Sequence, residues 1–313
     1  MLYMACSVAC PNAPVLDQMD HVSHEFGMLS CAAGVEPMSV PADLDKFKYL
    51  LSGGGQVDTT SSVLLSSSRY LNDACLREWV ATESLRRNGR DLPSGFGVPQ
   101  LYVIMQGLTD ADKINRLFAR VREQNPVIDR WFGDRFVSNY RKDDLKIHPP
   151  GSIGRSYFDM LEANNLQVEI LPDFVPRSDA DYYMLRAQQT HDLEHMLIGL
   201  QANAMGEMGT MTLRIASFFK FFGPELAGEL SVFSSLLLTS CMNRTFLHYP
   251  QCWPAFWDSM VHGTRIGEAS GPFFTAKYED LFHLPVEEVR ERVGIRGFER
   301  ELDTRAVSAT WSD

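Results

Sequence analysis

From Arg69 onward apolar residues recur every three or four positions, the spacing of a helix with one buried face. Tyr70, Ala74, Leu76 and Val80 form the first such stripe, and Asn88-Gly89 stops it. Residues 109–125 carry the clearest start signal: Thr109 as cap, Asp110 and Asp112 in the first turn, then Ile114, Leu117, Phe118 and Val121. Pro126 ends that helix, and Phe132, Phe136 and Tyr140 make a second stripe. Pro149-Pro150-Gly151 is a hard break, followed by a helix to about Asn164. Residues 179–201 read as the longest unbroken helical stretch. Residues 218–242 give one or two apolar helices, interrupted near Gly223-Pro224. Residues 253–269 and 285–293 close the series, with Pro285 suited to a first helical position and Gly294 to a stop. Alternation of apolar and polar residues is scarce, and Val168-Glu169-Ile170-Leu171 is the one strand-like scrap. The pattern predicts an all-α fold in a single helical domain, residues 41–313, without internal repeats. Residues 1–40, with Pro11, Pro14 and Pro37 and no sustained period, read as an irregular N-terminal extension.

Composition narrows the function classes. The chain has 313 residues and a formal net charge of −11, so no global field attracts phosphate and a nucleic-acid binder is excluded. Six scattered cysteines do not make a disulfide scaffold, and Cys6 and Cys10 lack partners at zinc-finger spacing. Residues 1–68 hold no Arg and only Lys46 and Lys48, unlike a transit or signal peptide. The best uncharged run, residues 231–243, has 13 residues and is too short to span a bilayer. These features lead to the expectation of a cytoplasmic protein with no transmembrane span, peripheral on the inner membrane at most.

One segment carries candidate chemistry: Thr190-His191-Asp192-Leu193-Glu194-His195, and then Glu207. His191 and His195, four apart on a helix, lie one turn above each other and can take adjacent positions on one metal ion. Asp192 projects about 60° round from His195, where it completes a site or holds a ligand in its tautomer. Glu207 would point about 120° away in one straight helix. Gly199 and Gly206 lie between, so a bend or a fresh helix can swing it back. Two nitrogens and two carboxylates suit zinc in a closed site, or iron or manganese in a more open one. The apolar residues Met184, Ala187, Ile198, Leu193, Met196, Leu197 and Leu200 wrap this helix on both sides, so it is expected to be buried. Two imidazoles and a carboxylate there are costly without a partner or a metal.

The segment resembles the signature of the ubiquinone (coenzyme Q) biosynthesis proteins of the Coq4 family, H-D-x-x-H, eleven residues, then E. His191, Asp192, His195 and Glu207 supply it complete, with eleven residues intervening. Gly151-Ser152-Ile153-Gly154-Arg155-Ser156-Tyr157 is similar to a second stretch of that family. Phe256-Trp257, Gly263, Gly267, Tyr278-Glu279 and the run from Leu284 to Ile295, which includes Arg290, are similar to its C-terminal stretch. The likeness covers residues 130–295 well and 65–130 loosely. It implies an all-helical protein with a bound divalent metal, usually zinc, and a greasy channel for a polyprenyl tail. It further implies loss of the C1 carboxylate from a polyprenylated aromatic acid, and assembly with other quinone-biosynthesis enzymes at a membrane. The four signature residues are then the metal-binding and catalytic candidates, and Arg155 and Tyr157 the substrate-binding ones. Homo-oligomerisation is left open. Ser152, Ser156 and Glu194 depart from the family pattern, and Glu194 puts a further carboxylate on the motif helix.

Other readings are weaker. His191-Asp192 also evokes HD-type phosphohydrolases, for which His148 would be the upstream partner, but Pro149-Pro150 follows it. No P-loop, dinucleotide fingerprint or nucleophile elbow occurs, and Gly53-Gly54-Gly55 is a turn. Residues 218–222, 226–238 and 253–257 each read as core. Together, with 14 Met and 19 Phe in the chain, they allow an apolar cavity for a long-chain lipid. Four Phe around Lys220 are also a possible interfacial patch, and His248 reads as structural. The alternative function is a non-catalytic lipid-binding scaffold with a structural metal.

Overall fold

Helix boundaries fall where side chains can satisfy the free N–H groups of a first turn. The computed structural model describes residues 68–89, 94–168 and 174–312. The expectations for residues 1–40, Cys6, Cys10, Gly53–Gly55 and the strand-like Glu169–Leu171 lie outside them. Two compact units divide the chain, residues 8–73 and, with residues 1–7, residues 74–313. Of the first, the structure describes the short helix Arg69–Asn72, whose first turn the Ser68 hydroxyl caps.

The larger unit is built from α1 (Ala74–Leu85), α2 (Val98–Leu108), α3 (Ala111–Gln124), α4 (Pro126–Asp134), α5 (Ile153–Ala163) and α6 (Asp179–Ile198). The chain continues through α7 (Ala204–Phe221), α8 (Gly223–His248), α9 (Trp253–Ala269), α10 (Val286–Val293) and α11 (Arg305–Ser312). The described residues contain no strand, only two isolated bridges. The all-α expectation therefore holds. No described helix is long and apolar enough to cross a membrane.

Several boundaries differ from the expected ones. Asp110, not Thr109, caps α3, accepting from the Lys113 N–H at 2.8 Å. Thr109 instead closes α2, its hydroxyl donating to the Met105 carbonyl. The second stripe stops early: α4 ends at Asp134, and Arg135 turns left-handed at φ 46°. Its guanidinium donates to the Ser178 carbonyl and to Asp179, so a tertiary tie outweighs local helix propensity. α6 ends at Ile198, and α8, with 26 residues, is the longest helix described.

The core is an aromatic cluster joining α3, α4, α6, α7 and the turn at Phe273–Thr275. Phe118 meets Phe132 edge-on at 4.9 Å, Tyr183 at 5.5 Å and Phe222 at 5.7 Å. Trp131 packs on Tyr182, and Phe222 on Phe274. Each such ring, once buried, contributes on the order of 1.5–3 kcal/mol. Phe218 and Phe222 thus belong to the core, and of residues 218–222 only Phe219 among the Phe is exposed. Lys220 donates to the Glu268 and Ser270 carbonyls, closing the C-terminus of α9. That arrangement removes the basis for an interfacial patch at this stretch.

α7 and α9 cross in close contact because glycines face each other. A Cβ at Gly263 would lie 1.9 Å from the Gly209 carbonyl oxygen, and one at Gly267 would lie 2.4 Å from that of Leu213. Thr212 fixes the crossing by donating to the Met260 carbonyl at 2.9 Å. This crossing holds the helix that carries Glu207.

Candidate metal centre

α6 begins in a capping box. Ser178 Oγ accepts from the Asp181 N–H, and Asp181 accepts from the Ser178 N–H. It ends at Gly199, whose φ of 65° lets the chain leave the helix without strain. The last carbonyls are not left open: Arg290 donates to those of Met196 and Leu197, and His262 Nε2 meets that of Ile198 at 2.7 Å. Arg290 and His262 thereby fix the turn that presents His195.

A fresh helix then starts at once. Asn203 caps α7, its Oδ1 accepting from the Gly206 N–H at 3.0 Å and from the Thr304 and Ser308 hydroxyls. Glu207 falls in the first turn of α7 and faces back toward α6. This is the swing that Gly199 permits. Gly206 leaves no room for a side chain, since a Cβ there would lie 1.9 Å from the Gln201 carbonyl oxygen and 3.3 Å from His195 Nδ1. Asn203→Ala removes the cap and is expected to lower stability by about 1 kcal/mol, measured by denaturant unfolding.

His191, His195 and Glu207 each offer a ligand atom, all within 4.8 Å of one another. His191 Nε2 stands 3.2 Å from Glu207 Oε2, and His195 Nε2 stands 3.3 Å from Glu207 Oε1. All three are buried, Glu207 at 1% exposure. Burial pushes the Glu207 carboxyl up, but the two imidazoles outweigh it and hold the group well below the usual carboxylate range. Among the described residues, neither ring nitrogen of His195 has a partner in hydrogen-bond geometry, although Nε2 faces Glu207 Oε1. Four atoms bound tetrahedrally at zinc distances lie about 3.3 Å apart. The spacing of the nitrogens to the carboxylate oxygens therefore suits such an ion.

Asp192 stands outside that group. It is half-buried and accepts from the Tyr157 hydroxyl at 3.1 Å. Burial raises the Tyr157 hydroxyl well above its usual range, with Tyr140 and Asp192 adding to the effect. Burial and the charges of Glu279 and Asp192 raise Tyr140 likewise. Arg155 is not at the group: its Nε donates to Asp159 at 2.9 Å, one turn along α5. Glu194, 1% exposed, turns to Arg214 and Thr190 rather than to the histidines. Met184, expected on the buried side of α6, is 49% exposed, while its neighbours Tyr183 and Leu185 are buried. His148 packs on Gly154 and Phe282, and His248 meets the Leu85 carbonyl. Beside Glu194 and Arg214 a crevice lined by Trp131, Phe218 and Phe274 has a volume of about 10 Å³, room for one water.

The two outer stretches of the sequence likeness meet at α5. Its first N–H groups, on Ile153 and Gly154, donate to the Leu284 and Phe282 carbonyls. Gly154 is required there, since a Cβ would come within 2.8 Å of the Phe282 carbonyl oxygen. Arg214, Arg290 and His262 were not among the predicted site residues. Gly263 and Gly267, spaced one turn apart, held the readable sign of a close helix crossing.

Two histidines and a glutamate thus gather between two antiparallel helices of an all-helical unit. Residues 136–299 match the family of the Coenzyme Q (ubiquinone) biosynthesis protein Coq4, more than half of the chain, which belongs to this family. It is therefore a ubiquinone biosynthesis protein. The ubiquinone biosynthesis protein coq4, mitochondrial, of Pyrenophora tritici-repentis is 26% identical over 266 residues, 79% of this chain and 85% of the relative. The mitochondrial COQ4 homolog of Aedes aegypti is 22% identical over 254 residues, 79% and 75% of the two chains. These relatives are named mitochondrial, a location that the cytoplasmic expectation did not include. The crystal structure of a candidate ubiquinone biosynthesis protein from Nostoc punctiforme matches with a TM-score of 0.52 at 22% identity. It covers 73% of this chain and all of the other, a likeness of fold.

Proposed function

We propose that the chain is a metal-dependent enzyme that removes the C1 carboxylate from the head group of a polyprenylated aromatic acid. One observation carries the reading. Three potential ligands lie within 4.8 Å of one another, while Asp192 is engaged by Tyr157 outside the group. Three protein ligands with one open position are the pattern of catalytic zinc, whereas four closed ligands are that of structural zinc. His191, His195 and Glu207 would hold the ion, zinc first, with iron or manganese compatible with the same donors. Such an ion supplies Lewis-acid polarisation of a substrate carboxylate.

The chain's own residues have separate tasks. Breaking the ring–carboxyl bond releases carbon dioxide and leaves an electron pair on the ring carbon, which must take a proton. The Tyr157 hydroxyl, tied to Asp192 next to His191, would pass on that proton and take one back by way of Asp192. Arg155 is a further contact for an acidic head group once it leaves Asp159. The burial of α6 and α7 around the group excludes bulk water. The polyprenyl tail would need a wider channel than the crevice of about 10 Å³ beside Glu194, and the Trp131, Phe218 and Phe274 side chains that line it would have to part. Work at a membrane surface with other quinone-biosynthesis enzymes completes the proposal.

The closed crevice and fully buried ligands favour a second reading, a lipid-binding scaffold with a structural metal. Complementation separates the two. In cells lacking the native protein, Tyr157→Phe should cut quinone output at least about tenfold at unchanged protein abundance. Under the scaffold reading output follows only the amount of folded protein, and Tyr157→Phe leaves it at the wild-type level.

A further inference from the structure

We propose that Glu194 and Arg214 are positioning residues that set the register of α7 against α6 and thereby seat Glu207 between His191 and His195. The inference rests on the metal reading of that group. Glu194 directly precedes His195 on α6, yet its carboxylate leaves the histidine face. Arg214 lies two turns beyond Glu207 on the same face of α7. Its Nε donates to Glu194 Oε2 at 2.7 Å and its Nη2 to Glu194 Oε1 at 3.1 Å, a forked bond between the two helices. Nη2 also reaches the Ala187 carbonyl, and Thr190 Oγ1 donates to Glu194 Oε1 at 2.9 Å. One guanidinium thus grips α6 at two levels, at residues 187 and 194, on either side of His191.

The energetics argue for geometry rather than stability. The side chains of Glu194 and Arg214 are 1% and 12% exposed. Taking both charges out of water costs several kcal/mol per ion, and such a pair is often replaceable by apolar residues without loss of stability. What apolar residues cannot supply is a directional tie. At the near end α7 is fixed by Asn203 and the short link after Gly199, but that link does not set the rotation of α7 about its own axis. Rotation by one residue, about 100°, would carry Glu207 away from both imidazoles. The α9 crossing holds the other face of α7, and the fork supplies the directional tie on the α6 side.

The test is the paired change Glu194→Leu with Arg214→Met in the full chain. Zinc affinity is measured by competition with a chelator, and the thermal midpoint and amide hydrogen exchange are measured on metal-free protein. The expected result is a midpoint within a few degrees of wild type, zinc bound roughly tenfold or more weakly, and faster exchange confined to residues 207–210. Unchanged zinc affinity in a variant with normal midpoint overturns the proposal. Should the double change fold poorly, Arg214→Lys keeps the charge but not the fork. Affinity then falls at constant midpoint if the pair positions the site, and a parallel fall in both overturns it. If wild type binds no zinc, the metal reading fails. The exchange pattern still decides the clamp: a rise confined to residues 207–210 supports it, and a rise spread evenly along α7 overturns it.

Discussion

Gly263→Ala will lower the thermal midpoint of the protein by about 5–10 °C, the equivalent of roughly 3 kcal/mol for a unit of this size. The added methyl group would sit 1.9 Å from the Gly209 carbonyl oxygen and 2.6 Å from Thr212 Oγ1. Both contacts are with a neighbouring helix rather than with the loose end of a long side chain. α7 and α9 must therefore separate, and the Thr212 bond to the Met260 carbonyl lengthens with them. Because α7 carries Glu207, the same change should weaken zinc binding although Gly263 touches no ligand. Calorimetry with and without zinc measures both effects. A midpoint within 1–2 °C of wild type would show that the crossing tolerates a methyl group.

Glu207→Gln is expected to reduce zinc affinity about a hundredfold or more, since loss of a mere supporting partner already costs ten- to a hundredfold. Each oxygen of Glu207 faces a different imidazole, so an amide puts an NH2 group against one of the two rings. The metal-free fold should also melt lower, because the two buried imidazoles lose the charged carboxylate they face. Isothermal titration with zinc and a melting curve on the same sample check the pair of outcomes. Retention of wild-type affinity would place the ion away from this carboxylate.

The helices with periodic apolar faces were legible, and residues 253–269 were read to their observed ends. Boundaries failed where tertiary partners decide them. Arg135 stops α4 because Ser178 and Asp179 receive its guanidinium, residues more than forty positions away. The convergence of His191, His195 and Glu207 is readable because Gly199 offers the turn and Gly206 the room for a close approach. The place of Asp192 was not, since its direction depends on Tyr157 from a helix remote in sequence. Arg290 stood within the family-like C-terminal run, but its task of holding the end of α6 follows only from packing. Glu194 reads as one more carboxylate beside a metal, and only its bonds to Arg214 and Thr190 show why it turns away.

The central claim is that His191, His195 and Glu207 hold a divalent ion. Native mass spectrometry with elemental analysis, on full-length protein purified without added metal, tests it most directly. Wild type should carry about one divalent ion per chain, and His191→Ala and His195→Ala should each lose it while remaining folded. Full metal occupancy in both variants would contradict the account.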